Sequence, residues 1–204
     1  MYGGIGSQKR SNEDNEENEQ KSVYSVVFVA SFLRSDIFMS YPSWPAFVAL
    51  TVFVRSIFEP AVRSDLERRV RGLCRGSARR WGRMSPHEAI CHMSDAFRMA
   101  LGEKAVSARP FGFAPVLRFV ALSIPLKWPR GIKTLPEVEQ GCGGTAPVDF
   151  ERDRAELLAL MHRFAASTPD QRASTHPIFG SMSTEEWGRW GYRHLDHHLR
   201  QFGL

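Results

Sequence analysis

The chain has 204 residues, of which 43% are hydrophobic and 24% charged, and its net charge at pH 7 is +5. That length is enough to bury the core of one domain. The three cysteines contain no CxxC pair, which excludes a disulfide framework and favours a reducing compartment, so we expect a cytoplasmic protein.

Two segments precede the predicted domain. Residues 1–22 are polar and acidic, a composition typical of disordered tails. Residues 23–58 form an apolar N-terminal extension, in which Arg34, Asp36 and two prolines interrupt the apolar runs. Because a membrane-spanning helix needs about 20 consecutive apolar residues, this pattern disfavours a membrane anchor. The sequence leaves open whether the extension is a folded part of the protein or an upstream-extended reading frame, and it predicts one domain over 59–204.

Four helices are predicted from residue 60 onward. Capping boxes, a serine followed three residues later by glutamate, occur at Ser64, Ser85 and Ser183. Asp149 is of the type that caps a further helix. Apolar residues follow each of these positions at helical spacing, and no segment of this part of the sequence alternates as a half-buried strand does.

A long connection, residues 103–148, separates the second and third predicted helices. It holds six prolines and an apolar run over 116–126, so we expect a short helix and extended loop there. Long connections of this kind usually cover or line a site. The predicted fold class is all-α, a four-helix bundle with one long crossover connection between helices 2 and 3.

The strongest chemical signal is a histidine cluster in the last predicted helix. His194 and His198 are four residues apart, and helical rotation places both inside the apolar stripe that contains Trp187. This is the spacing at which two imidazoles share a metal ion. The same rotation places His197 at the edge of the stripe with Trp190, which indicates a residue at the rim of the site or one that lies behind the ligands and supports them. The alternative for the pair is two hydrogen-bonded, inert residues at a helix end.

A third ligand should come from another helix, and His92 on the second helix is the best candidate. Three imidazoles and an open position are typical of a catalytic zinc site, and Ni²⁺ accepts the same ligands. Asp95 and Gln201 lie three residues after His92 and His198, where they could hydrogen-bond an imidazole and fix its tautomer. Cys91 faces away from the apolar stripe and is interpreted as a packed thiol.

Two other features have ordinary structural explanations. Trp187 and Trp190 are more often core residues than substrate contacts, although one of them could line a pocket beside the histidines. The arginine-rich run over 68–83 indicates the solvated face of the first helix. That face lacks the interleaved aromatic residues that stack on nucleic-acid bases. We therefore do not expect nucleic-acid binding.

Four motifs resemble the DinB-like superfamily, and more narrowly a branch of uncharacterised domains, over residues 60–204. The motifs are Trp81-Gly82-Arg83-Met84, Trp128-Pro129-Arg130-Gly131, His176-Pro177-Ile178-Phe179-Gly180, and Trp187 followed by Tyr192-x-His194-x-x-His197-His198-x-x-Gln201. The resemblance implies a four-helix bundle that binds a divalent metal. Its ligands would be one histidine on the second helix and the first and last histidines of a HxxxH on the fourth, which are His92, His194 and His198.

The resemblance also carries an expectation about activity. Characterised members of the superfamily include thiol S-transferases, in which the metal activates a low-molecular-weight thiol, and a maleylpyruvate isomerase that uses such a thiol. It implies a metal-dependent transferase or hydrolase, holding Zn²⁺ or Ni²⁺, that acts on a small electrophilic molecule. The alternative is a non-catalytic, metal-stabilised bundle or interaction module. A small-molecule substrate or thiol is the expected partner, and the sequence leaves a homodimer open.

Overall fold

Helices make up the regular secondary structure of residues 54–108 and 113–204, the part of the chain that the computed structural model describes. These residues belong to one unit, Val52–Leu204. Its α-helices are α1 (Pro60–Gly72), α2 (Pro86–Ala100), α3 (Ala114–Ser123), α4 (Phe150–Ala166) and α5 (Thr184–Arg200). Short 3-10 helices lie at Pro136–Val138 and Pro169–Gln171. The all-α class is confirmed for the described ranges.

The capping boxes predicted for two helices are present. The Ser85 hydroxyl accepts from the backbone N–H of Glu88 at the start of α2, and the Glu88 carboxylate accepts from the backbone N–H of Ser85. Ser183 and Glu186 form the same reciprocal pair at the start of α5. Each pair satisfies backbone donors that the first helical turn leaves without partners. The start of each histidine-bearing helix is thus fixed by local sequence.

The first helix begins earlier than the sequence predicted. The capping box expected at Ser64 is wrong, because α1 already starts at Pro60, with Glu59 as its N-cap. A proline at the first helical position has a fixed φ that suits the helix, and it lacks only an N–H that would have no partner there anyway. Helix α4 does begin after Asp149, whose side chain accepts from the backbone N–H of Arg152 at 2.8 Å.

Four of the helices share one apolar core. Helix α2 packs against α4 and α5, and α1 packs against the same two helices. The core includes fully buried side chains from all four, among them Leu66, Ile90, Phe97, Leu157, Phe164 and Leu195. The short helix α3, which confirms the helix expected in the connection, contacts α5. The histidines of α2 and α5 therefore face each other across a packed interface.

The core also includes residues that lie before α1. Ile57 is fully buried, and its backbone N–H donates to the carbonyl of Gly188 on α5 at 3.0 Å. A Cβ atom at Gly191 would lie 2.8 Å from Ile57 Cγ2, so glycine is what permits this close approach. The packed unit thus includes the end of the segment assigned to the extension. The expectations for 1–22 and for 23–53 lie outside the described residues.

No helix in the described ranges is both long and apolar enough to cross a membrane.

Candidate metal centre

One histidine of α2 and two of α5 meet in a single cluster. A ligand nitrogen of each of His92, His194 and His198 lies within 4.8 Å of the others. The ring centroids are 5.2 Å apart for His92–His194, 4.6 Å for His92–His198 and 4.7 Å for His194–His198. His92 and His198 are buried, and His194 is partly buried. The three predicted residues therefore form a cluster with the geometry to hold a metal ion, here called the three-imidazole site.

Hydrogen bonds fix the tautomers of two of these rings. His92 Nδ1 lies 2.9 Å from the carbonyl oxygen of Val138, and His198 Nδ1 lies 3.2 Å from Gln201 Oε1. Both partners are acceptors, so each Nδ1 carries the proton and donates it. The Nε2 atom of each ring then keeps a free lone pair, which is the form that binds a metal.

The third ring shows a different sign of an available site. His194 Nδ1 is buried and has no hydrogen-bond partner among the described protein atoms. The ring itself stacks on Trp190, with centroids 5.4 Å apart and planes 16° apart. Leaving a buried polar group unpaired costs about 1–3 kcal/mol of folding free energy. A ligand that bonded to this nitrogen would remove that cost. The donor set and its unpaired nitrogen both fit a bound cation.

The electrostatics keep all three rings neutral. Burial lowers the pKa of His92, and the Val138 carbonyl and the Asp95 charge only partly oppose this. Burial also holds the pKa of His194 and of His198 well below the usual value, and the neighbouring imidazoles lower both further. Neutral imidazole is the ligand form, so the site does not have to lose protons to accept a cation at neutral pH.

The two outer residues expected to orient the imidazoles lie in different places. Gln201 contacts His198, as described above. The carboxylate of Asp95 is fully buried but accepts from Thr145 N, Thr145 Oγ1 and Lys104 Nζ at 2.7, 2.6 and 3.0 Å. Its hydrogen bonds therefore hold the connection between α2 and α4 instead of an imidazole, which corrects the tautomer-fixing role expected for it.

The partner of His92 was not anticipated, because it is a backbone atom. Val138 ends the 3-10 turn Pro136–Val138, and this turn packs on α2. A carbonyl group occurs at every position of a chain, so no residue pattern identifies the one that orients a histidine. The available signal was indirect: Pro136 favours a turn at this point in the connection.

His197 is more buried than its edge position suggested. It is 7% exposed, and burial lowers its pKa to about 4. The centroid of its ring lies 4.7 Å from the ring centroid of Trp81 and 5.9 Å from that of Trp128. Its Nδ1 has no hydrogen-bond partner among the described atoms. Of the two expected positions, the rim is therefore wrong and the supporting position stays a prediction: two tryptophans from distant loops cover this histidine beside the three-imidazole site.

The two tryptophans of α5 divide between core and site. Both are buried. Trp187 packs against Phe164 and the ring of His176, whereas Trp190 also stacks on His194. Trp190 therefore lies in the wall of the three-imidazole site, and Trp187 supports the core behind it.

The loop histidine has a structural explanation. His176 Nδ1 accepts from the backbone N–H groups of Ile178 and Phe179, at 3.1 and 3.2 Å. Burial lowers the pKa of this imidazole to about 3, so the ring stays neutral and keeps accepting. The turn closes through paired backbone hydrogen bonds between His176 and Gly180, whose φ of +69° favours glycine. This motif thus shapes the loop before α5.

Comparison with known proteins gives one match. Residues 111–203 match a family model described as "Protein of unknown function (DUF1569)". No curated protein and no solved structure matches the chain. The matched stretch includes His194 and His198 but not His92, and the resemblance to the DinB-like superfamily stays a prediction. Over slightly less than half of its length, the chain is similar to a family whose function is unknown.

Proposed function

We propose that this chain is a divalent-metal-binding protein in which His92, His194 and His198 hold one Zn²⁺ or Ni²⁺ ion. The observation that carries the proposal is the meeting of three neutral imidazoles from two helices, with ligand nitrogens within 4.8 Å of one another. Zinc accepts histidine nitrogens at about 2.0–2.1 Å in tetrahedral sites, so small side-chain movements would bring these atoms to bonding distance.

The proposal includes the architecture that the motifs imply. Helices α1, α2, α4 and α5 would form a DinB-like four-helix bundle, and the connection that contains α3 would be its long crossover. Support comes from the shared apolar core of these four helices and from the contact of α3 with α5. The hydrogen bond that Asp95 accepts from Thr145 and the one that His92 donates to Val138 would fasten this crossover against α2.

The activity we propose is a metal-dependent thiol S-transfer or hydrolysis on a small electrophilic molecule. Three protein ligands leave a fourth position for a small molecule. A bound divalent cation would lower the pKa of a thiol or water that it coordinates, so that a thiolate or hydroxide nucleophile is available at neutral pH. The chain's own contribution is orientation: Val138 and Gln201 hold two of the imidazoles, and the rings of Trp128 and Trp190 flank His194.

Metal content tests the binding proposal. The full-length protein would be purified without a histidine tag and analysed for bound metals, beside His194→Ala and His198→Ala. His162→Ala is the matched control, because that histidine is 54% exposed and lies outside the cluster. We expect each cluster variant to lose one ion per chain and the control to lose none. Metal content that His194→Ala leaves unchanged would show that the ion binds elsewhere.

A metal-stabilised, non-catalytic protein is the second candidate. The observation that favours it is the chemistry around the ligands: the hydrogen-bond partners of His92 and His198 are a carbonyl and an amide, neither of which serves as a general base. Turnover of a model aryl-halide electrophile with a panel of low-molecular-weight thiols distinguishes the two. Thiol-dependent turnover that a chelator abolishes and added Zn²⁺ restores supports the enzyme, and a metal-loaded protein without turnover on the panel supports the structural role.

A further inference from the structure

A second cluster of potential ligands lies on another face of α2. His87 and Cys91 are one helical turn apart, and both face Asp153 in the first turn of α4. His87 Nε2 lies 2.7 Å from Asp153 Oδ2, and Cys91 Sγ lies 3.7 Å from the same oxygen. The imidazole, thiol and carboxylate donor atoms all lie within 4.8 Å of one another. We call this set the mixed-donor cluster.

The hydrogen bonds in this cluster do not have the order of a catalytic triad. The Asp153 carboxylate accepts from the imidazole, from the thiol and from the backbone N–H of Val148. In a cysteine nucleophile site the imidazole would instead accept the thiol proton. Burial and the adjacent Asp153 charge raise the pKa of the Cys91 thiol to about 12, which also disfavours a free nucleophilic thiolate. Nucleophilic catalysis is therefore a poor explanation for this arrangement.

The donor set matches a zinc site better. Zinc binds cysteine sulfur at about 2.3 Å and histidine nitrogen or carboxylate oxygen at about 2.0–2.2 Å, so tetrahedral ligand atoms lie about 3.3–3.8 Å apart. The pairs at 2.7 and 3.7 Å differ from that range by less than an ångström. One thiolate and one carboxylate would balance the two positive charges of the ion. The ligands come from the first two turns of α2 and the first turn of α4, two helices that pack together.

We infer that His87, Cys91 and Asp153 form a second metal site, which takes Zn²⁺ or another thiophilic divalent cation and is separate from the three-imidazole site. Binding forms one bond from the metal to each donor atom and changes no oxidation state. The thiol proton passes to solvent, and the neutral imidazole carries its proton on Nδ1 so that Nε2 binds the ion. A water or small molecule fills the fourth position.

Cobalt substitution tests this site by a signature that the three-imidazole site does not give. A thiolate bound to Co²⁺ produces a charge-transfer band in the near ultraviolet, whereas imidazole ligands give only the weak visible bands. The titration would use full-length protein carrying Cys74→Ser and Cys142→Ser, since both of these cysteines are exposed and would otherwise compete. We expect saturation at two ions per chain, one of them associated with the thiolate band.

Variants then assign the band to its ligands. Cys91→Ser should abolish it, and Asp153→Asn should weaken the Co²⁺ affinity measured through it about tenfold or more, since even outer partners of a metal ligand are worth about 10–100-fold. Glu156→Gln, on the exposed face of the same helix, is the matched control and should leave the band unchanged. Circular dichroism would check that each variant is folded.

The two metal proposals fail separately. His92→Ala combined with His194→Ala should remove the ion of the three-imidazole site and keep the thiolate band. A parent protein that shows the visible bands but no thiolate band would overturn the mixed-donor site while leaving the first proposal in place. A thiolate band that persists in Cys91→Ser, or an Asp153→Asn affinity equal to the parent value, would overturn it as well.

Discussion

Helix α2 contributes residues to two candidate metal sites, which differ in how many of their ligand atoms already form hydrogen bonds. In the three-imidazole site, His92 and His198 bond to neutral acceptors, and His194 keeps a buried nitrogen without a partner among the described atoms. In the mixed-donor cluster, Asp153 instead accepts from the imidazole of His87 and the thiol of Cys91. A cation at the first site uses free lone pairs, whereas a cation at the second must first displace hydrogen bonds. We therefore expect the three-imidazole site to bind Zn²⁺ more tightly.

The largest effect is expected from the residue that fastens the connection beside His92. Asp95→Ala removes a fully buried carboxylate, so Thr145 loses the acceptor of its N–H and hydroxyl groups, and Lys104 and Arg98 each lose one of their acceptors. Breaking a buried, charged network from one side costs about 3–5 kcal/mol of unfolding free energy. Urea unfolding would measure it. Glu156→Ala, which removes an exposed ion pair with Arg98, is the control and should cost about 0–1 kcal/mol.

The Asp95→Ala variant should also affect the two clusters to different degrees. The connection held by Asp95 also carries Val138, whose carbonyl orients His92. Asp95→Ala should therefore weaken Zn²⁺ binding at the three-imidazole site more than Co²⁺ binding at the mixed-donor cluster. Equal weakening at both sites would mean that Asp95 acts on the fold as a whole and not through this connection.

The next largest effect is stabilisation by the metal. A ligand that binds only the folded state at 100 times its dissociation constant adds about 2.7 kcal/mol to the unfolding free energy. Zinc in excess should produce a gain of this order over chelated protein in urea unfolding. His198→Ala should lose most of the gain at low zinc, where only the tighter site fills, and the exposed-residue control His162→Ala should keep it. A full gain in His198→Ala would assign the tighter site to other residues.

Acid should destabilise the metal-free protein through its buried neutral histidines. The pKa of His197 is about 4 in the fold and about 6.5 in an unfolded chain, so between these values the unfolded state binds a proton that the folded state does not. Stability from this residue is nearly complete above about pH 6.5, falls by about 1.4 kcal/mol per pH unit between about pH 6.5 and 4, and changes little at lower pH.

A single substitution isolates this contribution. In chelated protein, His197→Gln should reduce the pH dependence of the unfolding free energy between pH 5 and 6.5 by about 1.4 kcal/mol per pH unit. Urea unfolding at several pH values measures the slope. A slope equal to that of the parent would mean that His197 is solvated or protonated in the fold, contrary to its burial under Trp81 and Trp128.

The smallest effect is expected at the mixed-donor cluster without metal. His87→Gln removes a partly exposed pair with Asp153, whose carboxylate keeps Cys91 and Val148 as donors. Pairs of this kind contribute about 0–1 kcal/mol, so the metal-free variant should be nearly as stable as the parent. A loss of several kcal/mol in thermal or urea unfolding would show that this pair is a structural element of the α2–α4 interface.

The helices and the inward histidine pair could be predicted from the sequence because they depend on residues that are close together in the chain. Serine–glutamate boxes begin α2 and α5, and helical rotation selects His194 and His198 as an inward pair. The start of α1 was missed because Pro60 overrides the box at Ser64. In each of these cases the deciding residues lie within one or two turns of each other.

The surroundings of the site could not be read in this way, because they depend on distant contacts. Val138 reaches His92 across the connection through a backbone carbonyl, which carries no residue signature. His197 is buried by Trp81 and Trp128, which come from two loops far away in sequence. Asp153 meets Cys91 only when α2 and α4 pack together. Helical periodicity indicates which way a side chain points, but not what covers it.

Anomalous diffraction at the zinc edge, on crystals of the full-length protein grown with Zn²⁺, would locate the bound ion. A peak is expected at about 2.0–2.1 Å from one nitrogen of each of His92, His194 and His198, the bonding distance for zinc and imidazole. Zinc peaks at other positions, with these three rings left unbound, would contradict the three-imidazole site.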